Sequence, residues 1–476
     1  MSLIKILGVQ DSALRIFLNT GTLFDVQSGT FVPGTHGGMI LNGGLAPSNG
    51  FMGRPKMFKS TEMFSYIMRA MGYYPDTVCI IDDTEQALNK SRIVSFSPFD
   101  NQADLYDRVV LQSSSDFTLE EFFEQIKRIA KEKLSHKEDY YVETPFLDIR
   151  NNKPLMTMRP TFVAYDSWSK AISGAAQNML DTEVAGSSET NMFSMTDGRV
   201  KNMIMTQIPT LATRAGLYFG LSAHVGEKYE MKSIPSPKIL PHMRQGDKPK
   251  GVGPDFNFLL VNGVDMRSVK PLLDSEKGCQ YPIAGGSALE LCEVTSVVTR
   301  GNNNLGGTQL SLVVSQSKGI LSELSNYHYI KENGYFGLVG SKVSHKPAMT
   351  DVTVQRTTVR EKLKDQKVAR SVEIMAQLCY IQNNWVTIGA EVDFSMKPEL
   401  LAEKLLASDS PSATDILESR GYWTYDKTNP QSYLSLHDIL AIAQNIYRPK
   451  MIAVTSSTTP KPDAQSTKKK VVPQTI

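Results

Sequence analysis

Little in this sequence points to chemistry carried by sulfur, by a membrane or by bulk charge. Only four cysteines occur in 476 residues, Cys79, Cys279, Cys292 and Cys379. None falls in the short paired spacings of zinc or thiol-redox sites, so all four are expected to be reduced and packed. No stretch approaches the ~20 apolar residues of a membrane span. The opening Met1-Ser2-Leu3-Ile4-Lys5-Ile6-Leu7-Gly8 lacks the longer apolar run and cleavage pattern of a secretion signal. A reducing cytoplasm is therefore the expected compartment, and a membrane is not an expected partner. Net charge is only +2, so any footprint of a nucleic-acid binder has to be local.

What is present fits a folded chain. Apolar residues make up 41 % and charged residues 21 %, near the values of globular proteins. The length admits two or three domains, or one large core with extensions. Residues 1–20 alternate apolar and charged positions and read either as an arm that packs on a neighbouring subunit or as a helix on its own core. Residues 21–345 carry alternating helical periods and short apolar strands, which predicts an α/β fold with a mostly parallel sheet and helices on both faces. A helix is expected from Ser60 to Met71 and another from Phe117 to Lys133, acidic early and basic late as the helix dipole favours. An inserted hairpin is expected near 139–160, turning at Asn151-Asn152. Apolar strands are expected at Thr77 to Ile81, Thr161 to Tyr165, Leu217 to Ala223, Phe256 to Val261, Glu290 to Val298 and Thr308 to Ser315. Residues 346–450 read as a separate, more helical carboxyl-terminal region. The stretch 451–476 is rich in Ser, Thr, Pro and Lys and reads as a disordered basic tail.

The chemistry gathers at the carboxyl ends of the expected strands, where open α/β sheets bind their ligands. Gly53-Arg54-Pro55-Lys56-Met57-Phe58-Lys59-Ser60, followed by Thr61, has the form of a phosphate loop, except that Phe58 stands where the pattern has glycine. Backbone amides there can cradle phosphate, Lys59 can reach the outer phosphates, and the Ser60 hydroxyl can ligate magnesium at a helix start. Glu85, shortly after Val78-Cys79-Ile80-Ile81, is placed to polarise an attacking water. Asp166 closes the strand Ala164-Tyr165 and has the form of a carboxylate in the magnesium shell. This set predicts hydrolysis of a magnesium-bound nucleoside triphosphate.

The order Phe58-Lys59-Ser60, then Tyr74-Pro75-Asp76-Thr77-Val78-Cys79 leading to Glu85, then Asp166-Ser167, resembles the RecA-type recombinases of T-even phages, the UvsX family, which tolerates phenylalanine at this phosphate-loop position. The resemblance covers roughly residues 35 to 345. It implies a RecA-like ATPase core with ATP and Mg2+ as ligands, Lys59 and Ser60 on phosphate and metal, Glu85 as base and Asp166 on the metal. It also implies that His224 is a polar sensor of the outer phosphate; the asparagine that precedes the sensor in the family is Ala223 here. Two segments match the family's DNA-gripping loops, about Ser187 to Arg199 and Gly226 to Gly251. The second carries Lys228, Lys232, Lys238, Arg244, Lys248 and Lys250 against three acids, a local excess suited to phosphate contact. Arg267 and Lys270 lie where a neighbouring subunit would insert cations across the interface.

The resemblance therefore implies a phage-encoded, DNA-dependent ATPase working in the host cytoplasm. It would form a homo-oligomeric helical filament on single-stranded DNA for homologous pairing and strand exchange, alongside phage single-strand-binding and mediator proteins. A RecA-type hexameric helicase shares the same nucleotide site, and a degenerate RecA-like scaffold is suggested by Phe58, Ala223 and the insert. One further departure is the terminal Lys468-Lys469-Lys470, where the T-even proteins end in acid.

Overall fold

Alternation of apolar residues along the strands, with helical periods between them, is what builds the computed structural model of this chain. It describes residues 14–450 except 101, 114–116, 183–191, 228–246, 254 and 425–431. The basic tail, most of the amino-terminal arm and most of the second basic loop thus lie outside the described residues.

The main sheet has ten strands, numbered here in chain order: β1 Ser48–Gly53, β2 Val78–Asp83, β3 Val109–Ser113, β4 Thr161–Asp166, β5 Leu217–Glu227, β6 Asp247–Pro249, β7 Asn262–Pro271, β8 Leu291–Arg300, β9 Gln309–Ser315 and β10 Gly319–Ile320. Their order is β10-β9-β8-β7-β1-β5-β4-β2-β3, with β6 paired to β5. Pairing is parallel from β7 through β1, β5, β4 and β2 to β3, and antiparallel from β7 out to β10 and between β5 and β6. The expected α/β class with a mostly parallel sheet is what the structure shows.

Side-chain alternation puts an apolar cluster on each face. Along β4, Phe162 and Ala164 join one cluster while Val163 and Tyr165 join the other. Helix α1, Lys59–Tyr73, packs on the first face through Met63, Phe64, Ile67 and Met71. Helix α2, Leu119–Ser135, packs on the second through Leu119, Phe122, Phe123, Ile126 and Ala130, at the 3–4-residue spacing of one helical stripe. Its start is fixed by a capping box in which Thr118 and Glu121 satisfy each other's backbone amides. Helix α3, Phe193–Ala215, lies beside it. The expected insert is a hairpin, Tyr141–Asp148 with Lys153–Met158, and Asn152 takes the left-handed turn conformation that asparagine tolerates (φ 58°).

Several boundaries differ from expectation. Phe256 to Val261 is not a strand: Phe256–Leu259 is one helical turn, and the strand starts at Asn262. A short apolar run does not distinguish a buried strand from a buried turn of helix; here Phe256 and Leu260 fill the α3 face while Phe258 points outward. Strand β5 does not stop at Ala223 but runs through His224 to Glu227, because β6 pairs with its far end. The short strand β3, unread in the sequence, extends the parallel edge.

Residues 14–20 are extended rather than helical, and Ile16, Phe17 and Leu18 are buried in the chain's own core. Residues 346–450 share one apolar cluster with the first face of the sheet. Helix α5, Gln366–Asn384, buries Val372, Met375 and Ile381 there, and helix α4, Ser322–Glu332, packs with it. Polar links reinforce the join: Tyr74 donates to Trp423 O, and the buried carboxylate of Asp438 lies 3.0 Å from His36 Nε2. All four cysteines are free and buried.

Candidate functional site

The site forms where β1, β5, β4 and β2 end side by side. The six residues of β1 are wholly buried, and the chain then turns sharply into α1. Three residues of the turn have positive φ: Gly53 at 156°, Lys56 at 64° and Phe58 at 60°. Phe58 therefore holds, at a cost of about 1–2 kcal/mol, the left-handed conformation that favours glycine in the general pattern. It is half-buried against the core below α1. Between these residues, Arg54 and Met57 are partly buried, and Pro55 and Lys56 face solvent.

Lys59 is the first residue of α1 and only 6 % exposed, its Nζ donating to Arg54 O at 3.3 Å. Burial pulls its pKa down, and the nearby Asp166 and Glu85 oppose the shift. Ser60 Oγ donates to Asp166 Oδ1 at 2.9 Å, joining the helix start to the end of β4. Thr61 is buried behind it. The same Asp166 oxygen accepts a 2.5 Å bond from Ser222 Oγ on β5. Burial pushes the Asp166 carboxyl upward more than these hydroxyls and Lys59 pull it down. A buried carboxylate of this kind ionises readily only beside a cation.

Glu85 lies three residues after Asp82 and remains 42 % exposed, open to water. Its Oε1 accepts from Ser167 Oγ at 3.2 Å and lies 2.8 Å from His224 Nε2. Burial pushes Glu85 up, yet the hydrogen bond and charge of His224, with Ser167 and Lys59, outweigh it and hold the carboxyl below its usual range. The two neighbouring strand ends are clamped as well, since Ser167 N donates to Thr84 Oγ1 at 2.7 Å and Thr84 N to Asp166 O at 2.9 Å.

Strand order explains why these groups meet. Because β5 sits between β1 and β4, its face toward the site presents Ser222 and His224, two residues apart, to the turn from Gly53 to Ser60 on one side and Asp166 on the other. Ala223 points the opposite way and is fully buried in the second apolar cluster. Ser222 and Thr84 were not singled out in the sequence, and Ser167 was named only beside Asp166, without a role of its own. Period-two alternation from His224 would have indicated Ser222, and adjacency to Asp166 would have indicated Ser167.

The remaining expected residues are not all brought to this centre. Arg267 pairs with Asp265 on its own strand β7, which neighbours β1, while Lys270 is exposed further along. Arg199 is exposed on α3. Lys250 is exposed just beyond β6, and Lys248 lies on β6 itself. Lys228, Lys232, Lys238 and Arg244 lie outside the described residues. Among the described residues no helix is long and apolar enough to cross a membrane, and no cluster of His, Cys, Asp or Glu has the form of an all-protein metal cage.

No family model matches the chain. No curated protein matches it either. Among solved structures, a chain described as the crystal structure of the RadB recombinase aligns over 64 % of this chain and 98 % of its own length, at 13 % identity and a TM-score of 0.34, a likeness too low to argue from.

Proposed function

We propose that this chain is a RecA-type ATPase that binds magnesium ATP at the phosphate loop and couples its hydrolysis to a filament on single-stranded DNA. The observation that carries the reading is the Ser60–Asp166 hydrogen bond at the helix start, with Lys59 beside it and Glu85 open to water on the next strand. An oxygen pair of hydroxyl and buried carboxylate suits magnesium, which prefers oxygen donors and keeps much of its water. Ser60 would hold the ion directly and Asp166 through its hydration shell. When bound, magnesium would neutralise charge on the outer phosphates.

The chain's own residues do the rest. The amides from Gly53 to Ser60, at a turn with three left-handed residues, suit phosphate oxygens, and the α1 dipole favours negative charge there. Lys59, buried and near two carboxylates, supplies a fixed cation toward the transferring phosphate. Glu85 is ionised at neutral pH and half exposed, as a base that orients a water needs to be. His224 contacts Glu85, so the residue expected to sense the outer phosphate also positions the base. The basic segment that includes Lys228 and Lys232 begins directly after Glu227, the last residue of β5, giving DNA contact a short covalent route to His224.

Electron microscopy with single-stranded DNA and a slowly hydrolysed ATP analogue tests the assembly. Regular nucleotide-dependent filaments are expected. Closed rings would mean a helicase-like machine, and isolated monomers with no turnover would mean a scaffold.

A further inference from the structure

Helix α3 carries a buried ion pair that the nucleotide site does not use. Asp197 and Lys201 stand one turn apart, 8 % and 1 % exposed, with Lys201 Nζ 2.8 Å from Asp197 Oδ2. Burying an ammonium is costly unless its charge is met and its protons find acceptors. The same ammonium donates to Gly251 O at 2.7 Å, and the other Asp197 oxygen accepts from Ser173 N at 2.9 Å. The pair therefore joins two stretches of chain that each lead into the site. Ser173 lies shortly after Ser167, which donates to Glu85. Gly251 lies just beyond β6, where the basic segment returns to the sheet by pairing Asp247 with Glu227.

The two stretches also meet each other. Gly251 has a left-handed φ of 64°, and a Cβ there would lie 2.5 Å from Ser169 O, so only glycine allows the approach. Ser169 Oγ accepts from His224 N at 2.8 Å, and His224 O accepts from Lys250 N at 2.8 Å. The backbone of His224 is thus held on both sides by residues that the ion pair fixes, while its side chain contacts Glu85. Displacing the end of the basic segment has to move His224 or break a hydrogen bond to a buried ammonium.

We propose that Lys201, held by Asp197, is a positioning residue that fixes the returning end of the basic segment against the His224 backbone, so that DNA on that segment changes turnover through the Glu85–His224 contact. The inference rests on the ATPase reading above. A contiguous set of contacts counts as coupling only where removing one link changes the response at the other end.

The test compares ATP turnover with and without single-stranded DNA in the full chain and in the double variant Lys201→Met, Asp197→Asn. Replacing both members leaves no charge buried alone. Turnover without DNA and its KM for ATP should stay at the parent's values, as should DNA affinity without nucleotide. The ratio of DNA-stimulated to DNA-free turnover should fall by about fivefold or more, the lower end of coupling between two sites. Ser169→Ala removes the acceptor of the His224 amide without touching a buried charge. It should lower the ratio in the same direction, and it decides alone if the double variant fails to fold. Asn202→Ala breaks a different tie of α3, its paired hydrogen bonds with Asp255, and should leave the ratio unchanged. An unchanged ratio in the double variant and in Ser169→Ala overturns the proposal. So does an equal loss in Asn202→Ala, which would assign the effect to the docking of α3 in general, or a loss of DNA affinity, which would place Lys201 in binding. A parent chain with no turnover at all removes the ATPase reading and this inference together, whereas a parent that turns over ATP but ignores DNA removes this inference alone.

Discussion

Replacing Ser222 by alanine removes the hydroxyl that Asp166 accepts at 2.5 Å and nothing else from the site. Both partners are buried, Ser222 completely, so water does not replace the lost bond. A hydrogen bond to a charged group contributes about 1.5–3 kcal/mol, and 1.36 kcal/mol corresponds to one pKa unit. Asp166, already pushed up by burial, should therefore be pushed up further by the loss of that bond. The sign follows from its being an acid. A higher pKa shrinks the charged fraction at low pH and leaves it unchanged well above both values. Magnesium, which needs the charged form, should then bind less well at low pH and normally at high pH. The assay is nucleotide turnover as a function of magnesium concentration between about pH 6 and 9. Half-saturation should rise about tenfold or more at the acid end and converge with the parent protein at the alkaline end. A constant offset at every pH, or no change at all, would refute the assignment of Ser222 as the group that keeps Asp166 ionised.

Other substitutions probe separate parts of the argument. Glu85→Gln should keep ATP binding and lower turnover by about 10² to 10⁴, the effect of losing a general base, with filaments persisting on DNA; loss of ATP binding with an unchanged rate per bound nucleotide would make Glu85 structural. Alanine at Lys228, Lys232, Lys248 or Lys250 should weaken binding to all single-stranded sequences alike and flatten the slope of log affinity against log salt by roughly 0.7 per contact. Repeating the measurement on a chain ending at Ser456 separates these residues from the basic tail; if truncation abolishes binding while the loop variants bind normally, the loop plays no part. Glu62 lies in the first turn of α1 with both oxygens buried and no hydrogen-bond partner among the described residues, and burial pushes it from 4.5 to about 8. The unfolded chain then releases this proton first as pH rises, so stability falls between those values, by about 3 kcal/mol at pH 7 before the opposing helix dipole is counted. Glu62→Gln should match the parent in urea unfolding at pH 5 and exceed it at pH 7, whereas parallel pH curves would show that Glu62 is ionised in the fold.

How much of this could be read from the chain alone depended on the range of the forces involved. Helices α1 and α2 and the hairpin near Asn152 were legible because spacing, caps and turn residues act within a few positions. Lys59, Ser60, Glu85 and Asp166 were legible because the loop and the strand ends carry local patterns. The boundaries that failed lacked such patterns. Phe256 to Leu260 is a short apolar run that fits either element, and β5 is prolonged past His224 only by pairing with β6. The sequence by itself therefore determined the α/β class and the residue types at the strand ends. Only the tertiary structure decided which of them touch. Ser60 meets Asp166 across 106 positions and Ser222 meets it across 56, because β5 inserts between β1 and β4. The same holds for Tyr74, whose hydroxyl donates to Trp423 O across 349 positions. No local propensity encodes those meetings. The first two follow from the strand order, and the last from packing the carboxyl-terminal region onto the apolar face that α1 shares with the sheet.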